Sequence, residues 1–471
     1  MSITLSHWTF LAVVLAILLT MILRRSVVIA AMLGILLLAL LSPNAGTGVL
    51  SHCTFAMQAL FRAMLLAGID LFDIMLLVAI MLAMLKAMAA EGADEMMIAP
   101  MSRLIVGPRS AFFVLAVTVY VCSIFFWPSP ATALVGTVLI PVAMRAGLPA
   151  VGAAAAINIA AHGMALSADP VIQAATRISA AAAHVDAGLI LYYTLAFSTL
   201  TGVIAIGLTL VLLRRSSAVP VPHEAGVTAM QAKPAVQGRF CMPLAILTPT
   251  LLFGVGALII YRAIVSPQNA IYGGAATALL GGTAITVLIV ACILHDGHRA
   301  MESVIHHITE GFTFSIKVFG PVLPIVAFFF LGDPDHAVKV LGPGTPGYLL
   351  DFGQAAGHYL GPNNPLLPLG VLVVGLLSGI DGFGFSGLPL TGSVASALAG
   401  PSQHTAAILA SLGQIGSIWV GGGTLAPWSG VCVAAALADV KPDKLSRHNF
   451  LPVIAGLLAS TILAGVLILG S

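Results

Sequence analysis

Charged residues are scarce in this sequence, and their scarcity sets the class of protein. Only 8% of the 471 residues are charged, whereas 59% are hydrophobic. A soluble domain carries roughly 25% charged residues, so these few charges cannot cover so apolar a core in water. We therefore expect the solvent to be a lipid bilayer. Since one spanning helix needs about 20 apolar residues, the chain has room for roughly ten spans or more.

Cysteines and cofactor motifs are equally sparse. The five cysteines are scattered singly, without the CxxC or Cys/His spacings typical of metal sites or a disulfide framework. No Walker motif, HExxH motif, aspartate-rich prenyl-diphosphate motif or long basic run occurs. These absences argue against a nucleotide-driven pump, a membrane enzyme, a bound cofactor and a nucleic-acid partner.

Apolar runs between helix breakers give the order of the spans. The first run, from about Trp8 to Leu23, precedes its arginines instead of following them, so we expect a retained span and not a signal peptide. In the first half, plain spans are predicted at 8–23, 26–42, 66–90 and 187–213, a surface helix at 50–64, and broken stretches at 110–146 and 150–183.

A polar linker at 214–240 separates this half, residues 1–213, from the second half, residues 241–471. The same succession then repeats. Plain spans are predicted at 242–263, 271–294, 313–331 and 449–470, a surface helix at 298–311, and broken stretches at 364–399 and 403–438. The two short amphipathic segments are typical of helices that lie on the membrane surface.

The basic residues indicate the direction of the spans. If 110–146 and 364–399 are re-entrant hairpins, 14 of the 19 Lys and Arg residues fall in the cytoplasm, three fall outside and two lie in the membrane. The sequence therefore predicts an all-α polytopic membrane protein with two inverted-topology repeats. Each repeat contains a re-entrant helical hairpin and a broken transmembrane helix. We expect both termini outside, in the cell inner membrane.

Irregular backbone at membrane depth is tolerated only where it is buried in protein or lines a wet cavity, and paired breaks in inverted repeats indicate a transporter's substrate site. The first hairpin tip offers Ser129 and Thr132, and the second offers Asp381, Ser386 and Thr391. These hydroxyls either cap the following half-helix or bind a ligand, and Ser129, Thr132, Ser386 and Thr391 are candidate Na⁺ ligands.

The second break of each half carries an amide, then small residues, then hydroxyls and a proline. The candidate binding residues there are Asn158, His162, Ser167 and Asp169 in the first half, and Gln414, Ser417, Thr424 and Ser429 in the second. His162 is either a proton carrier or a hydrogen-bonded core histidine.

Arg177 follows Asp169 by two helical turns. It either neutralises Asp169 or holds a substrate carboxylate in a bidentate contact. Asp70, Asp73 and Lys317 are expected near the membrane interface in a scaffold role.

The organisation resembles that of the ion transporter superfamily, which includes dicarboxylate and citrate carriers, arsenite permeases and sodium/proton antiporters. The resemblance covers nearly the whole chain in the order of its elements. The dicarboxylate carriers have a Ser-Asn-Thr triplet at both hairpin tips. Here the tips read Ser129-Pro-Ala-Thr132 and Ser386-Gly-Leu-Pro-Leu-Thr391, without the asparagine. The resemblance implies a homodimer with a moving transport domain.

Together these patterns favour a secondary transporter of a small organic anion, a carboxylate above all, coupled to H⁺ or Na⁺. A cation/proton antiporter with Asp169 and Asp381 as exchanging carboxylates is the first alternative. A membrane subunit of a binding-protein-dependent carrier is the second.

Overall fold

The computed structural model describes most of the chain as helix. The described residues are 4–23, 28–216, 238–265, 274–321, 323–332, 334–348, 351, 364, 366–379, 384–385, 387–425 and 430–470. No β-strand occurs among them, and eight stretches of helix are long and apolar enough to cross a membrane. The prediction of an all-α polytopic membrane protein is confirmed at this level.

The helices form two groups that pack mainly within themselves. The first group, here called the α3 bundle, surrounds the longest helix. Its members are α1 (Leu5–Ile22), α2 (Val28–Leu40), α3 (Val49–Ala90), α4 (Ala93–Ile98), α11 (Cys241–Val265), α12 (Gly274–Asp296), α13 (Ala300–Phe319), α14 (Leu323–Phe329) and α15 (Pro334–Leu341).

The second group, the broken-helix bundle, contains all four predicted breaks. Its members from the first half are α5 (Pro108–Phe126), α6 (Pro128–Arg145), α7 (Ala150–Asn158), α8 (Leu166–Ala168), α9 (Ala174–Ala183) and α10 (Ala187–Ser216). A π-helical segment, Ile159–Ala165, joins α7 to α8. Its members from the second half are α16 (Leu367–Ser378), α17 (Leu388–Ala399), α18 (Gln403–Gly421), α19 (Gly430–Leu437) and α20 (Pro442–Leu469).

The predicted surface helices at 50–64 and 298–311 are not separate elements. Residues 50–64 continue without interruption into the predicted span at 66–90 as the single helix α3, because no Pro stands near that junction and Gly68 is tolerated inside the helix. Likewise α13 runs through Gly311 and ends only at Phe319, before Gly320 and Pro321. The break in the second half therefore falls about two turns later than the sequence predicts.

Small residues let the helices of the broken-helix bundle approach closely. Every residue of α18 from Thr405 to Gly421 is buried, and the last seven residues of α7 are buried as well. Gly375 of α16 faces the α18 backbone so closely that an added Cβ would lie 2.6 Å from the Gly413 carbonyl oxygen. Such small-residue contacts are the usual way for helices to pack in lipid, and they bring the breaks of the two halves together.

Candidate functional site

The first hairpin breaks at a single residue, Trp127. Its φ of 71° lies in the left-handed region, and α5 ends immediately before it. The prolines that predicted the break, Pro128 and Pro130, lie inside the first turn of α6, where a missing N–H costs nothing. The break is thus displaced from the predicted Pro128–Pro130 to the residue before it.

Aromatic rings join the two hairpin tips. The Trp127 ring lies 5.5 Å from the ring of Phe385, which stands in the second tip, and 6.0 Å from Phe319 at the end of α13. Phe319 and Phe385 are 5.8 Å apart in an edge-on contact. Rings at these spacings attract one another beyond simple burial, so both tips meet each other and the α3 bundle at one point.

The hydroxyls of the first tip differ in their surroundings. Ser129 is partly exposed, whereas Thr132 is fully buried. No described group forms a hydrogen bond with the Thr132 hydroxyl. A buried hydroxyl without a partner costs about 1–3 kcal/mol, which makes Thr132 the stronger candidate ligand of the two.

In the second hairpin, the described hydroxyls bond to nearby backbone. Ser417 of α18 donates to the Gly384 carbonyl at 2.7 Å, and Ser378 lies 3.3 Å from the Ser417 hydroxyl. Thr391 donates to the Gly387 carbonyl one turn earlier, at 3.0 Å. These contacts hold the tip against α18. The remaining predicted residues there, Asp381 and Ser386, and also Ser429 after α18, lie outside the described residues.

Asp169 terminates the first broken helix and opens the next. Its φ of 40° is left-handed, so α8 cannot continue through it. Its carboxylate oxygen Oδ2 accepts a hydrogen bond from the Ala175 N–H at 3.1 Å, in the first turn of α9. The positive end of α9 is thereby satisfied by the chain's own carboxylate.

Arg177 does not neutralise Asp169. It forms an ion pair with Asp73 of α3 instead. The predicted pairing assumes that a helix restarts at Asp169, but α9 begins only at Ala174. Because the residues between Asp169 and Ala174 are not helical, Asp169 and Arg177 do not lie two turns apart on one helix face. Arg177 points toward the α3 bundle instead. Arg177 Nη1 is buried without a hydrogen-bond partner among the described residues.

Ser167 is the meeting point of three helices. The Trp419 indole N–H of α18 donates to the Ser167 hydroxyl at 3.0 Å, and the Gln414 amide donates to the Ser167 carbonyl at 2.9 Å. Ser198 of α10 lies 2.9 Å from the same hydroxyl. All four side chains are buried. Ser167 and Gln414, predicted separately, therefore belong to one network between the halves.

A second network is a chain of amides. Asn158 donates to the Gly423 carbonyl at 2.9 Å, and Asn449 of α20 donates to the Asn158 side-chain oxygen at 2.9 Å. Asn449 also lies 3.3 Å from the carbonyl of Thr424, whose own hydroxyl donates to the Trp419 carbonyl. The backbone that follows α18 is held by this chain, with its side chains fully buried.

His162 lies between the two broken helices. It stands in the π-helical segment, is 2% exposed, and neither ring nitrogen has a hydrogen-bond partner among the described residues. A Cβ added to Gly430, the first residue of α19, would lie 2.3 Å from the imidazole Cγ. A Cβ added to Gly422, just after α18, would lie 2.8 Å from the His162 carbonyl oxygen. His162 thus packs directly against the glycines at both ends of the second break.

Hydrogen bonds connect four of the predicted residues, Asn158, Ser167, Gln414 and Thr424, through Trp419 and Asn449. The structure also adds residues that the sequence did not single out. Trp419, Ser198, Ser378 and Asn449 each contact a predicted residue. Asp73, which the sequence placed only in a scaffold role, pairs with Arg177. Asn449 carried a signal, since an amide stands out in an apolar span. The predicted span at 449–470 places Asn449 at its very start, whereas α20 begins at Pro442 and carries Asn449 two turns inside the helix.

These features define a polytopic, all-helical membrane protein whose two halves meet at broken helices. No family model matches the chain. It is 34% identical over 468 residues to the uncharacterized membrane protein YhfA of Bacillus subtilis (strain 168), a match that covers 97% of each chain. The chain therefore belongs to the same family as YhfA and is a multi-pass membrane protein.

Proposed function

We propose that this chain is a secondary active transporter of a small organic anion that bears a carboxylate. Transport is coupled to H⁺ or Na⁺. During transport the broken-helix bundle moves against the α3 bundle in an elevator-like manner. The proposal includes membership of the ion transporter superfamily and assembly as a homodimer, both of which the sequence led us to expect. The observation that carries it is the position of His162 between the two breaks.

A buried histidine without partners is costly to keep. Each unmet polar group costs about 1–3 kcal/mol, and ionisable residues at membrane depth are functional by default. His162 faces Gly430 at the start of α19, where the helix dipole favours negative charge. An anion held there would accept a hydrogen bond from the imidazole. Protonation of the ring would then couple anion binding to H⁺.

The anion site proposed here differs from the one that the sequence suggested. Asp169 occupies the start of α9, so a second anion there would be repelled. Arg177 is already paired with Asp73. His162 and α19 replace Arg177 and α9 as the proposed recognition elements. Thr132 is the best-placed hydroxyl for a coupling Na⁺, since its oxygen is buried and unbonded by any described group.

Helix lengths support the re-entrant form of the second hairpin. α16 and α17 have 12 residues each, about 18 Å, and neither is long enough to cross a bilayer alone. The first hairpin is longer, and the 19 residues of α5 would suffice for a span. Its pairing with α6 across the single residue Trp127 supports the same hairpin form. These two hairpins and the distribution of basic residues support the proposed inverted arrangement, with both termini outside.

Ligand-induced stabilisation followed by uptake tests the proposed function. The purified chain in detergent is screened with mono-, di- and hydroxycarboxylates, sugar acids, Na⁺ and Li⁺, since a ligand that binds the native state raises the melting temperature. Each stabilising carboxylate is then offered to proteoliposomes under an imposed pH or Na⁺ gradient. Concentrative uptake that collapses with the gradient supports the proposal. Uptake that ignores both gradients contradicts it.

A cation/proton antiporter is the second candidate, and Asp169 favours it. Its carboxylate is 4% exposed, and no described Lys, Arg or His nitrogen lies within 4.0 Å of it. Asp169→Asn separates capping from proton exchange, because an asparagine oxygen still accepts the Ala175 N–H but the side chain cannot ionise. Loss of Na⁺/H⁺ exchange in a variant that unfolds at the wild-type temperature supports antiport. Retained exchange excludes this role for Asp169.

A further inference from the structure

Two imidazoles and a carboxylate share one face of α13, outside the proposed transport site. His306 and His307 precede Glu310 by four and three residues, the spacings that place side chains next to each other on a helix. Among the described residues, no other three His, Cys, Asp or Glu side chains bring their ligand atoms so close together. We propose that His306, His307 and Glu310 bind one divalent transition-metal ion.

The distances match a single ion. The ligand atoms all lie within 4.8 Å of one another. His307 Nδ1 is 3.6 Å and His306 Nε2 is 3.9 Å from Glu310 Oε2. In a tetrahedral zinc site with bonds of about 2.0–2.2 Å, neighbouring ligand atoms are about 3.4 Å apart. Small side-chain rotations, above all of the exposed His306, close the difference.

The contacts of these side chains with each other do not account for their arrangement. At 3.6 Å, His307 Nδ1 is too far from Glu310 for a hydrogen bond, and this buried nitrogen has no other partner among the described residues. An ion bound to Nδ1 would supply the missing interaction. His306 is the most exposed of the three, with 69% of its side chain accessible, so the rest of the protein does not enclose the site.

Lys86 does not block the carboxylate oxygen of Glu310 that faces the histidines. Its ammonium lies 4.0 Å from Oε1 of Glu310, whereas both histidines face Oε2. One carboxylate oxygen therefore pairs with α3 and fixes the side chain, and the other remains available as a ligand. The positive charge of Lys86 weakens binding by repulsion, which favours ions that gain most from imidazole.

The ligand set selects the class of metal. Two imidazole nitrogens and one carboxylate suit Zn²⁺, Co²⁺ or Ni²⁺, with a fourth position left for water. Mg²⁺ and Ca²⁺ prefer all-oxygen sites. The site borders the contact between α13 and α3, since Glu310 faces Lys86 and its neighbour Gly311 meets the Ala79 backbone. A bound ion would therefore stiffen the α3 bundle.

The site is tested by measuring the binding of Zn²⁺ and Co²⁺ to the full-length, tag-free chain in detergent. After chelation and dialysis, isothermal titration with Zn²⁺ should show one equivalent bound, unaffected by excess Mg²⁺ or Ca²⁺. Co²⁺ should give the visible absorption bands of a four-coordinate site. His307→Ala and Glu310→Gln should each weaken Zn²⁺ binding roughly tenfold or more, and His306→Ala likewise.

The matched control is His52→Ala, which removes an exposed histidine at the start of α3. Its Zn²⁺ affinity should equal that of the wild type. Because His306 is largely exposed, His306→Ala keeps the fold, and size-exclusion elution checks this for every variant. The proposal is overturned if the wild type binds no stoichiometric Zn²⁺, or if binding survives in His306→Ala/His307→Ala.

Discussion

Arg177 on α9 and Asp73 on α3 form an ion pair that connects the broken-helix bundle to the α3 bundle. The two residues are far apart in sequence, and among the described residues the pair is one of few polar contacts between the two groups of helices. Any sliding of one bundle against the other must break it. The pair is therefore a marker of the conformation that the structure represents.

Removal of this pair should alter transport more than stability. The two side chains are 23% and 44% exposed, so solvent screens the pair, and such pairs contribute about 0–1 kcal/mol. Asp73→Asn should lower the unfolding free energy by no more than about 1 kcal/mol, yet shift the balance of conformations by up to about fivefold. Uptake rates in proteoliposomes and melting temperatures measure the two effects separately.

Exchange of the two charges is the control for that prediction. Asp73→Arg combined with Arg177→Asp restores the attraction in the opposite orientation, and the uptake rate should return toward that of the wild type. If each single variant transports at the wild-type rate, the pair has no part in the movement. The same conclusion holds if the uptake rate of the double variant is no higher than that of the single variants.

His162→Leu should make the resting protein more stable and inactive. Leucine is close to histidine in volume and has no polar atoms, so it removes a buried ring whose nitrogens lack described partners. The gain should approach the cost of one unmet polar group, about 1–3 kcal/mol. Differential scanning fluorimetry in detergent would show it as a higher melting temperature. A lower melting temperature would assign His162 a structural role.

Asn449→Ala should destabilise the protein strongly. The substitution removes the donor to Asn158 and to the Thr424 carbonyl, and leaves buried acceptors unmet at about 1–3 kcal/mol each. The matched control is Thr250→Ala, whose exposed hydroxyl bonds only to its own helix. Thermal unfolding of both variants measures the difference. Equal melting temperatures would mean that the amide chain contributes nothing to stability.

Gly163→Ala should destabilise the contact between the halves. The new Cβ would lie 2.6 Å from Cζ3 of Trp419, so the indole that bonds to Ser167 must shift. Overpacking of this kind costs about 1–3 kcal/mol. Gly254→Ala is the control, because a Cβ there meets nothing within 4 Å on the helical α11 and should stabilise by up to about 1 kcal/mol. Melting temperatures that move in the same direction would contradict this account of the packing.

The sequence predicted the helices well where local chemistry decides them. Apolar runs gave α1, α2, α10, α11 and α12 to within a few residues, because a membrane helix needs little more than length and hydrophobicity. Breaks were placed near the right positions because Pro and Gly act locally. The exact residues were missed, as at Trp127, because a proline is tolerated in the first turn of the helix that follows it.

Side-chain contacts between residues distant in sequence could not be predicted from the sequence. The Asp169–Arg177 pairing relied on helical phase, which the irregular turn from Asp169 to Gln173 destroys. Asn158 and Gln414 were expected to be equivalent in the two halves. Both do contact the opposite half, but Asn158 bonds to Asn449 and Gly423, whereas Gln414 bonds to Ser167. These contacts depend on how the helices pack, which one-dimensional periodicity does not encode.

His162 is the key residue of the proposed transport site between the two breaks. The most direct test of this site is gradient-driven uptake of a stabilising carboxylate into proteoliposomes by the wild type, His162→Ala and His404→Ala. His404 is the control because it is exposed in the first turn of α18, within hydrogen-bonding distance of Tyr193. The account predicts that His404→Ala transports at the wild-type rate and that His162→Ala, correctly folded, loses concentrative uptake. Concentrative uptake by His162→Ala at the wild-type rate would contradict it.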